Sequence, residues 1–216
     1  MSTLLLRLAG PMQSWGTDSK FDVRRTGREP SKSGVIGLVA AALGIARQDR
    51  AALQTLNGLR FGVRVDHEGA LLRDFHTARP EKGTSYVTYR YYLSDAEFVA
   101  GLESDDRALL ARIAQALQAP AFPLYLGRRS CPPVGRVFLK ISDEPLEAAL
   151  RANAPPGATR LVLDAAASEP GGLVRDVPLS FDPARREYTY RRVTERVLHG
   201  AAEHDPMAEL EDTICT

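Results

Sequence analysis

A chain of 216 residues with 44% hydrophobic and 25% charged residues has enough apolar material for one good core and a small addition, which excludes wholesale disorder. Two cysteines without zinc-site or disulfide spacing fit a reducing cytoplasm, and the longest apolar run, from Val35 to Ala46, is glycine-interrupted and too short for a membrane span. Net charge is only +1, but the average conceals blocks: residues 1–60 hold nine Lys/Arg against four Asp/Glu, residues 120–140 four against none, and residues 185–197 five against two.

In chain order, Thr3 to Leu8 reads as a buried strand ended by Gly10-Pro11. From Pro11 to Ser33 no period is sustained. A loop this long in a compact domain is usually functional or disordered, and this one reads as functional, holding Gln13, Trp15, Phe21, Arg24, Arg25, Arg28 and Lys32, suited to phosphate contacts and to stacking on an unpaired base. The structural alternative is a solvated loop whose Trp15 plugs the core. Val35, Ile36, Leu38, Val39, Ala42 and Leu43 then fall on a helical stripe, with Ser31 or Ser33 as N-cap and Gly44 as the stop. The free N–H groups at Ser31-Lys32-Ser33-Gly34 favour an anion there, phosphate being one candidate and plain capping the other. Walker spacing is absent, so nucleotide hydrolysis has no support.

Arg60 to Asp66 alternates as a second strand. Leu71 to Thr77 and Tyr86 to Leu102 read as two extended arms joined through Pro80 and Gly83, a protruding hairpin that carries Arg73, His76, Arg79, Lys82, Tyr86, Tyr89, Arg90, Tyr91 and Tyr92. His76 with Lys82 or a tyrosine could serve metal-free RNA cleavage, which needs a base for the 2′-hydroxyl and a donor for the leaving oxygen; the other reading is a wedge that contacts RNA without cutting it. Asp105 to Ala119 is an amphipathic helix. The loop Leu126-Gly127-Arg128-Arg129-Ser130-Cys131 sets paired arginines beside a glycine, fit for a bent RNA backbone or for a basic surface turn, with Cys131 structural. Val134 to Ile141 is strand four.

The order β-α-β-β-α-β predicts an α+β, ferredoxin-like domain over residues 1–144, with the hairpin at about 74–93. Such a sheet often offers an open face to single-stranded RNA, although the usual alternating aromatics are not evident here. Residues 145–200, with a short helix at 146–151 and strands at 160–164 and 186–197, are expected to form a small β-rich appendage. Residues 201–216 are an acidic tail, expected to be disordered or a partner contact. No set of carboxylates, His/Cys ligands or catalytic triad residues recommends itself, so neither a metal nor a cofactor is expected.

Leu6-Arg7-Leu8-Ala9-Gly10-Pro11-Met12-Gln13-Ser14-Trp15-Gly16 and Pro30-Ser31-Lys32-Ser33-Gly34-Val35-Ile36-Gly37-Leu38 resemble the CasD-type subunits of type I-E CRISPR Cascade complexes. So do Arg73-Asp74-Phe75-His76-Thr77, Tyr89-Arg90-Tyr91-Tyr92-Leu93 and Tyr125-Leu126-Gly127-Arg128-Arg129-Ser130-Cys131-Pro132, in the same order. The resemblance implies a RAMP-superfamily protein with a ferredoxin-like, RRM-like domain and a projecting thumb. It implies a non-catalytic subunit that holds the 5′ handle of the CRISPR RNA beside the backbone and large subunits, meets target DNA only through the guide, and shapes pairing with its thumb. An RNA-cleaving member of the superfamily, a metal-free endoribonuclease, is the alternative. Carried onto the matching segments, the RNA-binding residues are Gln13, Trp15, Arg24, Arg25, Arg28, Lys32, Ser33, His76, Arg90, Arg128, Arg129 and Ser130, and the thumb residues are Arg79, Lys82 and Tyr86.

Overall fold

In the computed structural model, which describes residues 1–16, 23–79 and 83–198, the chain order is β1 (Ser2–Ala9), β2 (Met12–Gln13), β3 (Val23–Arg24), α1 (Lys32–Leu43), α2 (Arg50–Asn57), β4 (Arg60–His67), β5 (Ala70–Ala78), β6 (Tyr86–Ser94), β7 (Glu97–Ser104), α3 (Arg107–Gln118), β8 (Phe138–Ser142), α4 (Leu146–Arg151), β9 (Arg160–Asp164), β10 (Gly172–Ser180) and β11 (Glu187–Val197). Seven strands form one antiparallel sheet in the order β10-β11-β9-β4-β7-β1-β8, and β2, β3 and β5 pair with β6 in a second, smaller sheet. Phe21, Lys82 and the acidic tail lie outside the described residues.

Alternation along β1 sorts its side chains between two faces. Leu4, Leu6 and Leu8 join Phe61, Val63, Val65, Phe98 and Leu102 beneath α1, α2 and α3, where the main core lies. Helix α1 starts where the Ser31 hydroxyl accepts the Gly34 N–H at 3.2 Å and stops at Gly44, whose φ of 72° closes a left-handed cap. In α3, Asp106 caps Leu109 and the stripe Leu109, Leu110, Ile113 and Leu117 is buried.

The opposite face is covered as well, so the sheet offers no open central platform for RNA. Leu146, Ala149 and Leu150 of α4 pack on Leu5, Val99, Leu161 and Leu163. Room for them comes from Gly62 and Gly101, which are paired across β4 and β7; a Cβ on either would sit 2.6 Å from a leucine methyl. Both helix ends are satisfied by the sheet: Glu103 accepts the Leu146 N–H at 2.5 Å, and Arg64 donates to the carbonyls of Leu150 and Ala152 at 2.7 and 3.2 Å.

Three expectations change. The arm expected from Tyr86 to Leu102 divides at Asp95, whose φ of 55° turns the chain from β6 in the small sheet into β7 in the large one. Helix α2 and strand β10 are additional elements. The expected C-terminal appendage is β-rich but continuous with the main sheet, because β9 pairs with β4 from Gly62↔Leu163 to Val65↔Arg160.

Candidate nucleic-acid interface

The Gly-Arg-Arg turn is built against the start of the long loop. Ser14 N–H donates to the Leu126 carbonyl at 3.1 Å, and within the turn Leu126 N–H reaches Cys131 O at 2.7 Å and Cys131 N–H reaches Arg128 O at 2.9 Å. Gly127 has φ of 85°, and a Cβ there would lie 1.8 Å from the Ser14 carbonyl oxygen. No other residue fits that approach. The turn aims Arg128 back across the loop, where its Nη2 donates to the carbonyls of Arg24 and Arg25 at 2.8 and 3.3 Å while its guanidinium stacks 4.7 Å from the centroid of Tyr92. Its Nη1 is buried and has no hydrogen-bond partner among the described residues.

Strand register adds a second arginine to this face. In the small sheet Arg24 lies opposite Arg90, Asp74 lies opposite Arg90 on the other side, and Tyr92 is two residues along β6. Directly paired residues and residues two apart share a face. Arg24, Arg90 and the Tyr92 that supports Arg128 are therefore together, and the Nε of Arg90 is also buried without a hydrogen-bond partner among the described residues. Arg24 and Arg25 are exposed. His76 reaches the same face from β5, with Nε2 3.0 Å from Asp74 Oδ2. A buried N–H left unbonded costs about 1–3 kcal/mol, more on a charged group, so these two arginines keep unused hydrogen-bonding capacity among the described residues.

Several residues assigned from sequence sit elsewhere. Trp15 is 1% exposed, its Nε1 donates to Gln13 Oε1 at 3.0 Å, and its ring lies against Gly34, where a Cβ would come within 2.7 Å. It fills the core, so its ring is not presented to a base. Gln13 is equally buried, and its Nε2 donates to Leu8 O and Ala96 O at 3.0 and 2.7 Å. The α1 start, read from sequence as either a phosphate seat or a plain cap, already holds an anion: Asp176 Oδ2 accepts the Lys32 N–H at 2.8 Å, and the buried Lys32 Nζ lies 3.3 Å from Asp164. Ser33 is half-buried, 3.3 Å from Ser31.

Arg28 is exposed but paired with Glu68 at 3.1 Å. Burial pushes Glu68 up, yet Arg28 and Arg160 outweigh it and hold the carboxyl below its ordinary value. Arg129 and Ser130 are exposed on the turn, and Arg79 and Tyr86 are exposed at the far end of the hairpin. Cys131 is buried, and burial pushes its thiol up, which fits a packing residue. Sequence reasoning missed the part played by Tyr92, which was visible only as one of four hairpin tyrosines, and Asp176, a lone acid in the run Gly172-Leu173-Val174-Arg175-Asp176-Val177. Among the described residues no helix is long and apolar enough to cross a membrane, and no group of three His, Cys, Asp or Glu is placed to hold a metal ion.

The chain also matches known proteins. A family model described as CRISPR-associated protein (Cas_Cas5) matches residues 3–194. The CRISPR system Cascade subunit CasD of Escherichia coli (strain K12) is 40% identical over 157 residues, which cover 64% of this chain and 70% of that protein. Two solved structures are similar in fold: a chain of a CRISPR RNA-guided surveillance complex, at 34% identity and a TM-score of 0.75 over 90% of this chain and 89% of that one, and a crystal structure of a Cas protein, at 42% identity and a TM-score of 0.71 over 91% and 94%. The family match runs from β1 into β11, and the chain belongs to the Cas5 family of CRISPR-associated proteins.

Proposed function

We propose that this chain is the CasD-type subunit of a type I-E CRISPR RNA-guided surveillance complex, and that it holds the 5′ handle of the CRISPR RNA without cleaving it. The observation that carries the reading is the arginine face of Arg24, Arg90 and Arg128, on which Arg90 Nε and Arg128 Nη1 have no hydrogen-bond partner among the described residues. Fixed arginine forks in a partly desolvated place bind phosphate strongly and ignore base identity. Arg25, Arg129, Ser130 and His76 border this face and would guide the adjoining backbone.

The strand order β4-β7-β1-β8, with α1 between β1 and β4 and α3 between β7 and β8, supports a ferredoxin-like arrangement of the RAMP type over residues 1–144. Residues 145–198 would brace it through α4 and β9. The β5–β6 hairpin suits the thumb: it exposes Leu71, Phe75, Tyr86 and Val87, and an apolar, aromatic arm can wedge between guide and target near the handle. Arg79 and Tyr86 belong to that end. Backbone and large subunits of the complex are the protein partners, and target DNA is met through the guide.

Binding of a repeat-derived handle RNA across a salt series tests the proposal. Arg90→Ala and Arg128→Ala should each weaken binding on the order of tenfold and flatten the salt slope by about 0.7 per lost phosphate contact. Unchanged affinity and slope in both would sink it. Incubation of repeat RNA with the protein in EDTA should leave the RNA intact; specific cleavage abolished by His76→Ala would establish the endoribonuclease instead.

A further inference from the structure

The far edge of the large sheet carries a second basic and aromatic surface. In β11, Arg191 turns toward Asp164 and Asp176 on the α1 side, so Tyr190 and Arg192 face the other way, the side on which Arg196 meets Glu147 of α4. The β10–β11 register sets Arg175 opposite Tyr190 and Leu173 opposite Arg192. Leu173 is 70% exposed, Tyr190 60%, and both arginines are exposed.

The charges around this block are matched, and those within it are not. Arg185 and Arg50 pair with Glu187, and Arg196 pairs with Glu147 and Glu169. Arg175 and Arg192 have no carboxylate partner among the described residues: Arg175 Nε reaches Tyr188 O at 3.4 Å, and Arg192 Nη1 reaches Ala167 O and Glu169 O at 3.4 and 3.5 Å. Such long bonds leave most of both guanidinium forks open.

We propose that this block is a second contact for single-stranded nucleic acid, separate from the Arg24–Arg90–Arg128 face, in which an unpaired base stacks on Tyr190 between phosphates held by Arg175 and Arg192. The spacing suits it. Arg175 lies about 5 Å across the strands from Tyr190 and Arg192 about 7 Å along its own, each within the reach of one nucleotide. A protein partner is the poorer fit, because a stable interface takes about 800 Å² from each side and this patch is four residues bounded by closed ion pairs.

The test uses the full chain carrying Arg90→Ala and Arg128→Ala, so that the first face is disabled, with labelled oligouridine and oligodeoxythymidine of one length. Ultraviolet crosslinking should label the peptide containing Tyr190. Tyr190→Ala should lower affinity on the order of tenfold, with partial retention in Tyr190→Phe. Arg175→Ala with Arg192→Ala should flatten the salt slope by about 1.4. The tighter of the two oligonucleotides identifies RNA or DNA as the source. Crosslinks confined to residues 23–28 and 126–131, with Tyr190→Ala unchanged, would overturn the proposal. So would protection of Tyr190 from nitration that appears only when partner protein subunits are added. A Tyr190 crosslink that survives in this background stands whatever becomes of the first face.

Discussion

Asp176 Oδ2 accepts the backbone N–H of Lys32 at 2.8 Å, which places a carboxylate from the edge strand at the head of α1. The same carboxylate takes two bonds from Arg191, at 2.7 and 2.9 Å, and Arg191 and Lys32 share Asp164. Two cations and two anions thus close a buried cluster that locks β10 and β11 to the main domain. Burial pulls Arg191 down, but Asp176 and Asp164 outweigh it and raise it. Removing one member of such a set costs about 3–5 kcal/mol, because the partner stays buried and unpaired. Asp176→Asn should lower the urea-unfolding free energy by that order, and a change within experimental error would mean the cluster is solvated.

Gly127→Ala should disable the arginine face while sparing the core. The turn cannot keep both a φ of 85° and a Cβ 1.8 Å from Ser14 O, so Arg128 must leave Tyr92 and the carbonyls of Arg24 and Arg25. Handle RNA affinity should fall at least as far as in Arg128→Ala, with far-ultraviolet circular dichroism unchanged. Wild-type affinity would show that the turn is not part of the grip.

The local pieces of this site were legible, and their assembly was not. Gly127, Arg128 and Arg129 stand out as a basic turn in the sequence, and Ser31 and Gly44 announce the ends of α1. That Arg128 rests on Tyr92 depends on how a distant turn folds back onto β6, which no local pattern records. The break in the 86–102 arm escaped because Asp95 supplies a positive φ without a glycine or proline to signal it. Strand β10 escaped because Pro178 argues against a strand, yet an edge position tolerates it. Helix α2 buries only Leu53 and Leu56, too few for a clear stripe. Trp15 was ambiguous for a different reason: a tryptophan in a basic loop looks alike in sequence whether it stacks on a base or plugs a core.

Stability and RNA affinity should separate at Trp15. Trp15→Ala empties a fully buried site and should cost about 3–5 kcal/mol. Trp15→Phe, which leaves Gln13 Oε1 without its 3.0 Å donor, should cost less. With the Phe variant held below its melting temperature, handle RNA affinity should stay within about twofold of wild type. A large affinity loss at unchanged stability would instead put the indole on the RNA.

Acid should loosen α4 from β11. Burial pushes Glu147 up, but hydrogen bonds from Arg151 and Arg196 outweigh it and hold the carboxyl below its ordinary 4.5. A group depressed in the folded state contributes stability that is fully present above the unfolded value and is lost as pH falls through the folded one. The side chains of Glu147, Arg151 and Arg196 are 30 to 41% exposed, so solvent screening limits the contribution to about 1 kcal/mol or less. Urea midpoints should therefore place Glu147→Gln below wild type at neutral pH, with the gap closing under acid conditions that protonate Glu147. The closing gap is the informative part, since a packing defect in the glutamine variant would persist at every pH, whereas the loss of Arg196's hold on α4 disappears once the wild-type carboxyl is itself neutral.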